Sequence, residues 1–155
     1  MPSHDILIDA IKKIAGFMNI EPRIEVHQES QDGKGVFISV YVDDNGRFLI
    51  GKNGQNLHAF EHIVRLLSTR SGLGDIAITL DVNDYRKSRA QHAVELARQA
   101  LSRVRSTLKA EALSPMSAYE RRVVHMELAS HPDITTESIG EEPQRRVVIK
   151  PFTLE

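Results

Sequence analysis

The sequence contains neither cysteine nor tryptophan among its 155 residues, and aromatic residues make up only 5%. Without cysteine, the chain has no disulfide bonds and no thiolate metal sites. No apolar run approaches the roughly 20 residues that span a bilayer. The first five residues also lack the basic and apolar regions of a signal peptide. We therefore expect a cytoplasmic protein that does not insert into membranes.

The chain also lacks a large excess of charge of either sign. Its 20 Lys and Arg stand against 21 Asp and Glu, which gives a net charge of −1. This balance argues against a broadly basic nucleic-acid-binding surface. The charge is uneven, because residues 1–82 carry 8 basic and 11 acidic side chains, whereas residues 83–155 carry 12 and 10. Any binding of phosphate must therefore come from a few local sites.

The first half of the chain alternates between helical and strand patterns. Apolar residues at helical spacing predict a helix over residues 7–18, and alternating residues predict a hairpin from residues 24–27 and 36–42. A short apolar turn, a glycine loop, a second long helix and a strand over residues 76–82 follow. The predicted apolar stripe of that helix is Leu57, Phe60, Ile63, Val64 and Leu67. This order predicts one compact α+β domain over residues 1–82.

The second half, residues 83–155, predicts another small α+β domain in which helices pack on a three-stranded sheet. A long helix runs from about residue 84 to Leu108, with Asn83 as its cap and Leu108 as the last residue of its buried stripe. Ser117 and Glu120 form a capping box, so another helix begins there. Short strands are expected near residues 110–113, 134–139 and 145–150.

The loop Gly51-Lys52-Asn53-Gly54 precedes an amphipathic helix. One interpretation is a turn between helices that needs glycine for its positive φ angles. The other is a phosphate site, because glycines let backbone N–H groups and a helix N-terminus approach a phosphate, and Lys52 adds a mobile positive charge. The position of the loop after a hairpin, in a domain of about 80 residues, favours phosphate binding.

Residues 4–82 resemble a KH domain of the type II order, helix-strand-strand-helix-helix-strand, with Ile50-Gly51-Lys52-Asn53-Gly54 as its signature loop. The resemblance implies that about four nucleotides of a single strand cross this loop into a groove between helix and sheet. It further implies that Ile50 and Leu57 line the wall of the groove, and that Gln55 also contacts the RNA.

The second motif is Arg121-Arg122-Val123-Val124-His125. On a helix, an Arg and a His four residues apart share a face and can together hold a phosphate. Arg23 and His27 have the same spacing but fall in a predicted strand, where the two would sit roughly 13 Å apart. The alternative interpretation is structural: Arg121 pairs with a carboxylate such as Glu111 or Glu120, and His125 packs partly on the core.

The surroundings of the second motif resemble the R-three-H domain, which is named for Arg-x-x-x-His and occurs in proteins that bind single-stranded nucleic acid. The resemblance covers residues 84–152, including Thr136-Glu137-Ser138-Ile139-Gly140 and Arg145-Arg146-Val147-Val148-Ile149. It makes Arg121 and His125 the candidate phosphate ligands, with Arg122, Arg145 and Arg146 as further RNA-binding candidates.

A KH domain followed directly by an R-three-H domain resembles the SpoIIIJ-associated family of bacteria, also called Jag or KhpB. The resemblance implies a cytoplasmic protein that binds single-stranded RNA, or single-stranded DNA, and a role in post-transcriptional regulation linked to cell elongation or division. It also implies a second small KH protein as partner. The N-terminal domain usual in the family is not in this sequence, which is either a short member or a trimmed piece. The alternative function is a protein-interaction adapter with incidental affinity for nucleic acid.

One enzymatic pattern needs separate mention. His58-Ala59-Phe60-Glu61-His62 matches the His-x-x-Glu-His of inverted zinc peptidases. However, His58, Glu61, His62 and Arg65 fall opposite the predicted apolar stripe, which indicates the solvent side of the helix. A catalytic zinc would also need a third ligand and a walled cleft. We therefore expect no metal, no cofactor and no enzymatic activity, and stacking of bases on the few aromatic rings should not dominate binding.

Overall fold

The computed structural model describes residues 2–28, 35–74 and 76–152. The chain divides into two compact units, Met1–Arg86 (unit 1) and Lys87–Glu155 (unit 2). Each unit has its own hydrophobic core. Both mix helices with a three-stranded sheet, which confirms the predicted class of two small α+β domains.

Unit 1 follows the predicted order of helix, strand, strand, helix, helix and strand. Its elements are α1 (Pro2–Phe17), β1 (Arg23–Gln28), β2 (Gly35–Tyr41), α2 (Gly46–Ile50), α3 (Gln55–Arg70) and β3 (Ala77–Val82), with a 3₁₀ turn at Lys52–Gly54 between α2 and α3. The central strand β2 pairs antiparallel with β1 and parallel with β3. This arrangement leaves β1 and β3 as the edge strands of the sheet.

The core of unit 1 lies between the sheet and helices α1 and α3. It is built from β-branched and leucine side chains, as expected for strands that pack on amphipathic helices. The most completely buried of them are Leu7 and Ile11 from α1, Ile38 and Val40 from β2, Leu57 and Val64 from α3, and Ile78 and Leu80 from β3. These residues set the orientation of α3, whose N-terminus carries the glycine loop.

The buried face of α3 is rotated from the predicted stripe. Ile63 and Leu67 were expected in the core but are 44% and 38% exposed, whereas Glu61, expected on the solvent side, is only 7% exposed. Glu61 accepts hydrogen bonds from the backbone N–H of Leu80 at 3.0 Å and from the guanidinium of Arg86 at 2.7 Å. Because β3 is an edge strand, this carboxylate satisfies a buried N–H group that would otherwise lack a partner.

The connection from β3 to the next helix also differs from the prediction. Helix α4 covers Tyr85–Thr107, and Asn83 is not its cap. The side chain of Asn83 instead forms two 2.9 Å hydrogen bonds with Val42, accepting from its N–H and donating to its carbonyl. The Asp81 carboxylate accepts from the Arg86 N–H in the first turn of α4. At the other end, Leu108 is 74% exposed, because the helix ends before it.

Unit 2 places two helices on an antiparallel sheet, as predicted. Beyond α4 its elements are β4 (Glu111–Ala112), α5 (Ala118–Leu128), β5 (Ile134–Ile139) and β6 (Arg146–Pro151), with β6 in the centre of the sheet. Small residues let α4 pack closely, since Ala93, Ala97 and Ala100 are buried. The capping box is present: Ser117 Oγ accepts from the Glu120 N–H, and Glu120 accepts from the Ser117 N–H. None of the helices in the described ranges is both long and apolar enough to cross a membrane.

We predict that Glu61→Ala destabilises unit 1 by about 3 kcal/mol, because it leaves the buried Leu80 N–H and the Arg86 guanidinium without their acceptor. His62→Ala, at an exposed position of the same helix, serves as the control and should change stability by less than about 0.5 kcal/mol. Urea unfolding of both variants measures the difference. Equal stability of the two variants would contradict the structural role of Glu61.

Candidate nucleic-acid interface

The glycine loop adopts a backbone that most residues avoid. Gly51 has φ 72°, Asn53 has φ 52° and Gly54 has φ 78°. The Gly51 N–H donates to the carbonyl of Arg47 at 2.9 Å and so ends α2. Three residues with positive φ within four positions turn the chain from α2 into α3, where Gly54 is the residue before the helix.

Both glycines are also required by their neighbours. A Cβ atom at Gly51 would lie 2.5 Å from Asn56 Cγ, and one at Gly54 would lie 3.0 Å from Tyr85 Cε1. The Asn56 side chain is fixed there because its amide donates to the carbonyl of Phe48 at 2.8 Å. The glycines therefore satisfy the structural interpretation, because the protein's own side chains occupy the positions of the missing Cβ atoms.

The loop presents polar groups to solvent. Lys52, Asn53 and Gln55 are exposed, and Ile50 is half-buried next to them. No described side chain caps the first turn of α3, whose 16 residues direct the positive end of the helix dipole at the loop. Leu57 is different: it is 2% exposed. Its side chain belongs to the core, and its place in the wall of a binding groove stays a prediction.

Arg121 lies almost completely inside unit 2, with 7% of its surface exposed. One guanidinium nitrogen donates to the carbonyl of Met116 at 2.7 Å, and the other pairs with Glu142 at 2.7 Å. The carboxylates considered from the sequence have other partners, since Glu111 pairs with Arg103 and Glu120 with Arg89. Arg121 is thus held by the 58%-exposed side chain of Glu142, on the β5–β6 loop.

His125 lies one helical turn after Arg121 and faces β5. Its Nδ1 is 2.7 Å from Thr136 Oγ1 and its Nε2 is 2.8 Å from Ser138 Oγ. Burial lowers the pKa of His125 below its ordinary value of 6.5, and the positive charge of Arg121 lowers it further. Both effects favour the neutral imidazole, in which one ring nitrogen is a donor and the other an acceptor.

The other basic candidates have different surroundings. Arg122 and Arg145 are exposed, whereas Arg146 is half-buried. The Nε of Arg146 donates to the carbonyl of Gln144, and the carbonyl of Arg145 accepts from the Met116 N–H. The backbone just before β6 therefore contacts Met116, which precedes α5 and whose carbonyl accepts from Arg121.

Sequence reasoning missed four partners in this site: Glu142, Met116, Thr136 and Ser138. Thr136 and Ser138 could have been found, because residues two apart on a strand face the same side. Met116 contributes a backbone carbonyl, and Glu142 lies in a loop whose path no periodicity specifies. Neither could have been assigned from the pattern alone.

Two other sequence patterns, Arg-x-x-x-His in β1 and His-x-x-Glu-His in α3, do not form a candidate site. Arg23 and His27 lie in β1, as predicted, where Arg23 pairs with Glu25 and covers the ring of Tyr41. In the His-x-x-Glu-His pattern, Glu61 points inward to its cationic partners, whereas His58 and His62 are exposed. Across residues 2–28, 35–74 and 76–152, no three His, Asp or Glu side chains are grouped to hold a metal ion.

Comparison with known proteins connects both units to one family. The family model of the R-three-H domain matches residues 91–151. The RNA-binding protein KhpB of Clostridium symbiosum is 33% identical over 145 residues, which is 94% of this chain and 64% of that protein. The chain belongs to the KhpB (Jag) family. KhpB of Lactiplantibacillus plantarum is 37% identical over 65% of the chain and 31% of its own length, and KhpB of Bacillus subtilis is 33% identical over 68% and 52%.

The family relationship covers both candidate sites. The match to the R-three-H domain includes all of α5, and therefore Arg121 and His125, together with β5 and β6. The alignment with Clostridium symbiosum KhpB covers 94% of the chain and so includes most of unit 1. The chain spans less than two thirds of the length of each of the three KhpB relatives.

We predict that His125 makes the stability of unit 2 depend on pH. In the unfolded chain His125 has its ordinary pKa of 6.5, whereas in the folded protein its pKa is lower, so it binds a proton less readily. The contribution of the neutral ring is therefore fully present above pH 6.5 and decreases as the pH falls towards the folded pKa. Urea unfolding of the wild type and of His125→Asn should show a smaller stability difference at pH 5.5 than at pH 7.5. A difference that grows or stays constant would contradict the pKa shift.

Proposed function

We propose that the chain binds single-stranded RNA through two sites, the loop Gly51–Gly54 in unit 1 and the Arg121/His125 site in unit 2. The observation that carries the proposal is the buried Arg121 guanidinium, whose anionic partner Glu142 is an exposed loop residue. Three relatives that align with 65% to 94% of the chain are named RNA-binding proteins, which supports RNA as the ligand.

At the loop, the backbone of the strand lies across Gly51 to Gly54. Lys52 and Asn53 are exposed and contact that backbone. The N-terminus of α3 adds the favourable end of a helix dipole. Ile50 and Gln55 flank the loop and contact the adjoining nucleotides. This is the arrangement by which KH domains hold about four nucleotides.

At the second site, a phosphate replaces the Glu142 carboxylate on Arg121. Both groups present anionic oxygens, and a guanidinium binds either in the same planar geometry. The hydrogen bond from Arg121 to the Met116 carbonyl stays in place during the exchange, so the guanidinium keeps its orientation. His125 lies on the same helical face and gives the phosphate a ring N–H by exchanging its contact with Thr136 or Ser138. Arg122, Arg145 and Arg146 add positive charge.

The binding should be modest at each site and stronger when both are occupied. Few phosphates are contacted, so the logarithm of the affinity should fall with the logarithm of the salt concentration with a slope of about −2 to −5. Two sites on one chain raise the affinity through effective concentration whenever one strand engages both.

A second candidate function, partner binding by unit 1, is favoured by one observation. Helix α3 exposes Ile63, Leu66 and Leu67, which are 44%, 54% and 38% exposed. These residues are suited to a protein surface such as a second small KH protein, and they lie outside the glycine loop. An adapter would retain such a partner when the loop is changed.

We predict that the double variant Lys52→Asp/Asn53→Asp binds a 12-nucleotide single-stranded RNA at least about tenfold more weakly, with a salt slope reduced by about 1. Lys13→Asp/Asn19→Asp is the control, because it makes the same charge change at two exposed positions of unit 1, and Asn19 shares the positive φ of Asn53. Fluorescence anisotropy measures binding, and circular dichroism confirms folding. An unchanged affinity in the loop variant, or equal losses in both, would contradict the site.

A further inference from the structure

Helices α4 and α5 of unit 2 enclose a groove that neither proposed site uses. Its volume is about 320 Å³, which is near the lower end of the range for small-ligand sites. Ala90, Val94 and Val123 form its apolar floor, and Lys87 and Arg98 lie on its rim. The groove therefore combines an apolar surface with positive charge.

The aromatic ring of Tyr119 forms one wall of this groove. Tyr119 is 53% exposed, and it is one of the few aromatic residues of the chain. Successive helical residues are about 100° apart, so Tyr119 lies about 200° around α5 from Arg121. Tyr119 therefore belongs to a different face from the Arg121/His125 site.

Lys87 is the cation in the lining of the groove that has no acidic partner. Among the described residues, no carboxylate pairs with Lys87, whereas Arg98 is paired with Glu127 at 2.7 Å. The acid in the lining, Glu95, accepts a hydrogen bond from the neutral amide of Gln99 and keeps its negative charge. The lining therefore offers one unpaired ammonium group, at Lys87, to a phosphate.

The size of the groove distinguishes between ligands of this charge. A stable protein partner buries more than about 1,000 Å² over many residues, whereas this groove holds a single planar group. A nucleobase presents an apolar ring face that stacks on tyrosine, and each base is flanked by phosphates. An unstacked nucleotide fits the volume of the groove, has a base that can stack on Tyr119 and carries a phosphate for Lys87.

We propose that the α4–α5 groove takes one unstacked nucleobase of the RNA, which stacks on Tyr119 while Lys87 contacts a flanking phosphate. This inference rests on the proposed RNA binding and adds a base-contacting subsite to two sites that hold backbone. Stacking is then confined to one ring, which is consistent with the low aromatic content.

The test uses the full chain and a fluorescein-labelled 12-nucleotide single-stranded RNA in 150 mM salt. Tyr119→Ala should bind about tenfold more weakly, with an unchanged salt slope, because stacking releases no counterions. Tyr119→Phe keeps the ring and should bind within about twofold of the wild type. Phe152→Ala removes another half-exposed ring of unit 2 and should leave the affinity unchanged.

A second readout does not depend on any variant. Proton NMR of the wild-type chain should show the Tyr119 ring resonances moving upfield when the RNA is added, as a stacked base requires. Unchanged affinity in Tyr119→Ala together with unmoved ring resonances would overturn the subsite, even if the loop variant still weakens binding. Loss of affinity in Phe152→Ala as well would also overturn it. If the wild type binds no RNA, the proposed function itself fails.

Discussion

The positive charge of Arg121 is the constraint on which unit 2 depends. A guanidinium that is 7% exposed cannot remain without an anion or hydrogen-bond acceptors, because burying an unpaired charge is costly. Its two ends hold the carbonyl of Met116, before α5, and the side chain of Glu142, in the β5–β6 loop. One buried side chain therefore connects two loops.

Unit 1 contains a buried negative charge, Glu61, with a different kind of partner. Glu61 is as buried as Arg121, but its acceptor oxygens are used by the Leu80 N–H, Arg65 and Arg86. The Leu80 N–H belongs to a buried edge strand and cannot be exchanged for solvent. Glu61 is therefore a structural group, whereas the Arg121 pair includes an exposed carboxylate, which we propose is replaced by a phosphate. Their roles differ because of their partners and not because of burial.

Local patterns in the sequence were sufficient for the order of elements and for the capping box at Ser117 and Glu120, since those signals extend over a few residues. Interactions between distant residues were not predictable in the same way. Glu61 and Arg86 are 25 positions apart, and Asn83 and Val42 are 41 apart. Hydrophobic periodicity therefore placed Ile63 and Leu67 in the core in place of Glu61. The Arg-x-x-x-His spacing and the resemblance to the R-three-H domain made Arg121 and His125 candidates, but no local pattern pointed to Glu142.

The central claim is that Glu142 occupies the position of an RNA phosphate on Arg121. Substituting Arg121 would disturb the fold, so the direct test is the affinity of Glu142→Gln for single-stranded RNA at constant salt. Glu141→Gln, which removes the same charge one residue away at an exposed position, is the control. Releasing a pair worth about 1 kcal/mol should raise the affinity of Glu142→Gln about fivefold above that of Glu141→Gln. Equal affinities of the two variants, or weaker binding by Glu142→Gln, would contradict the account.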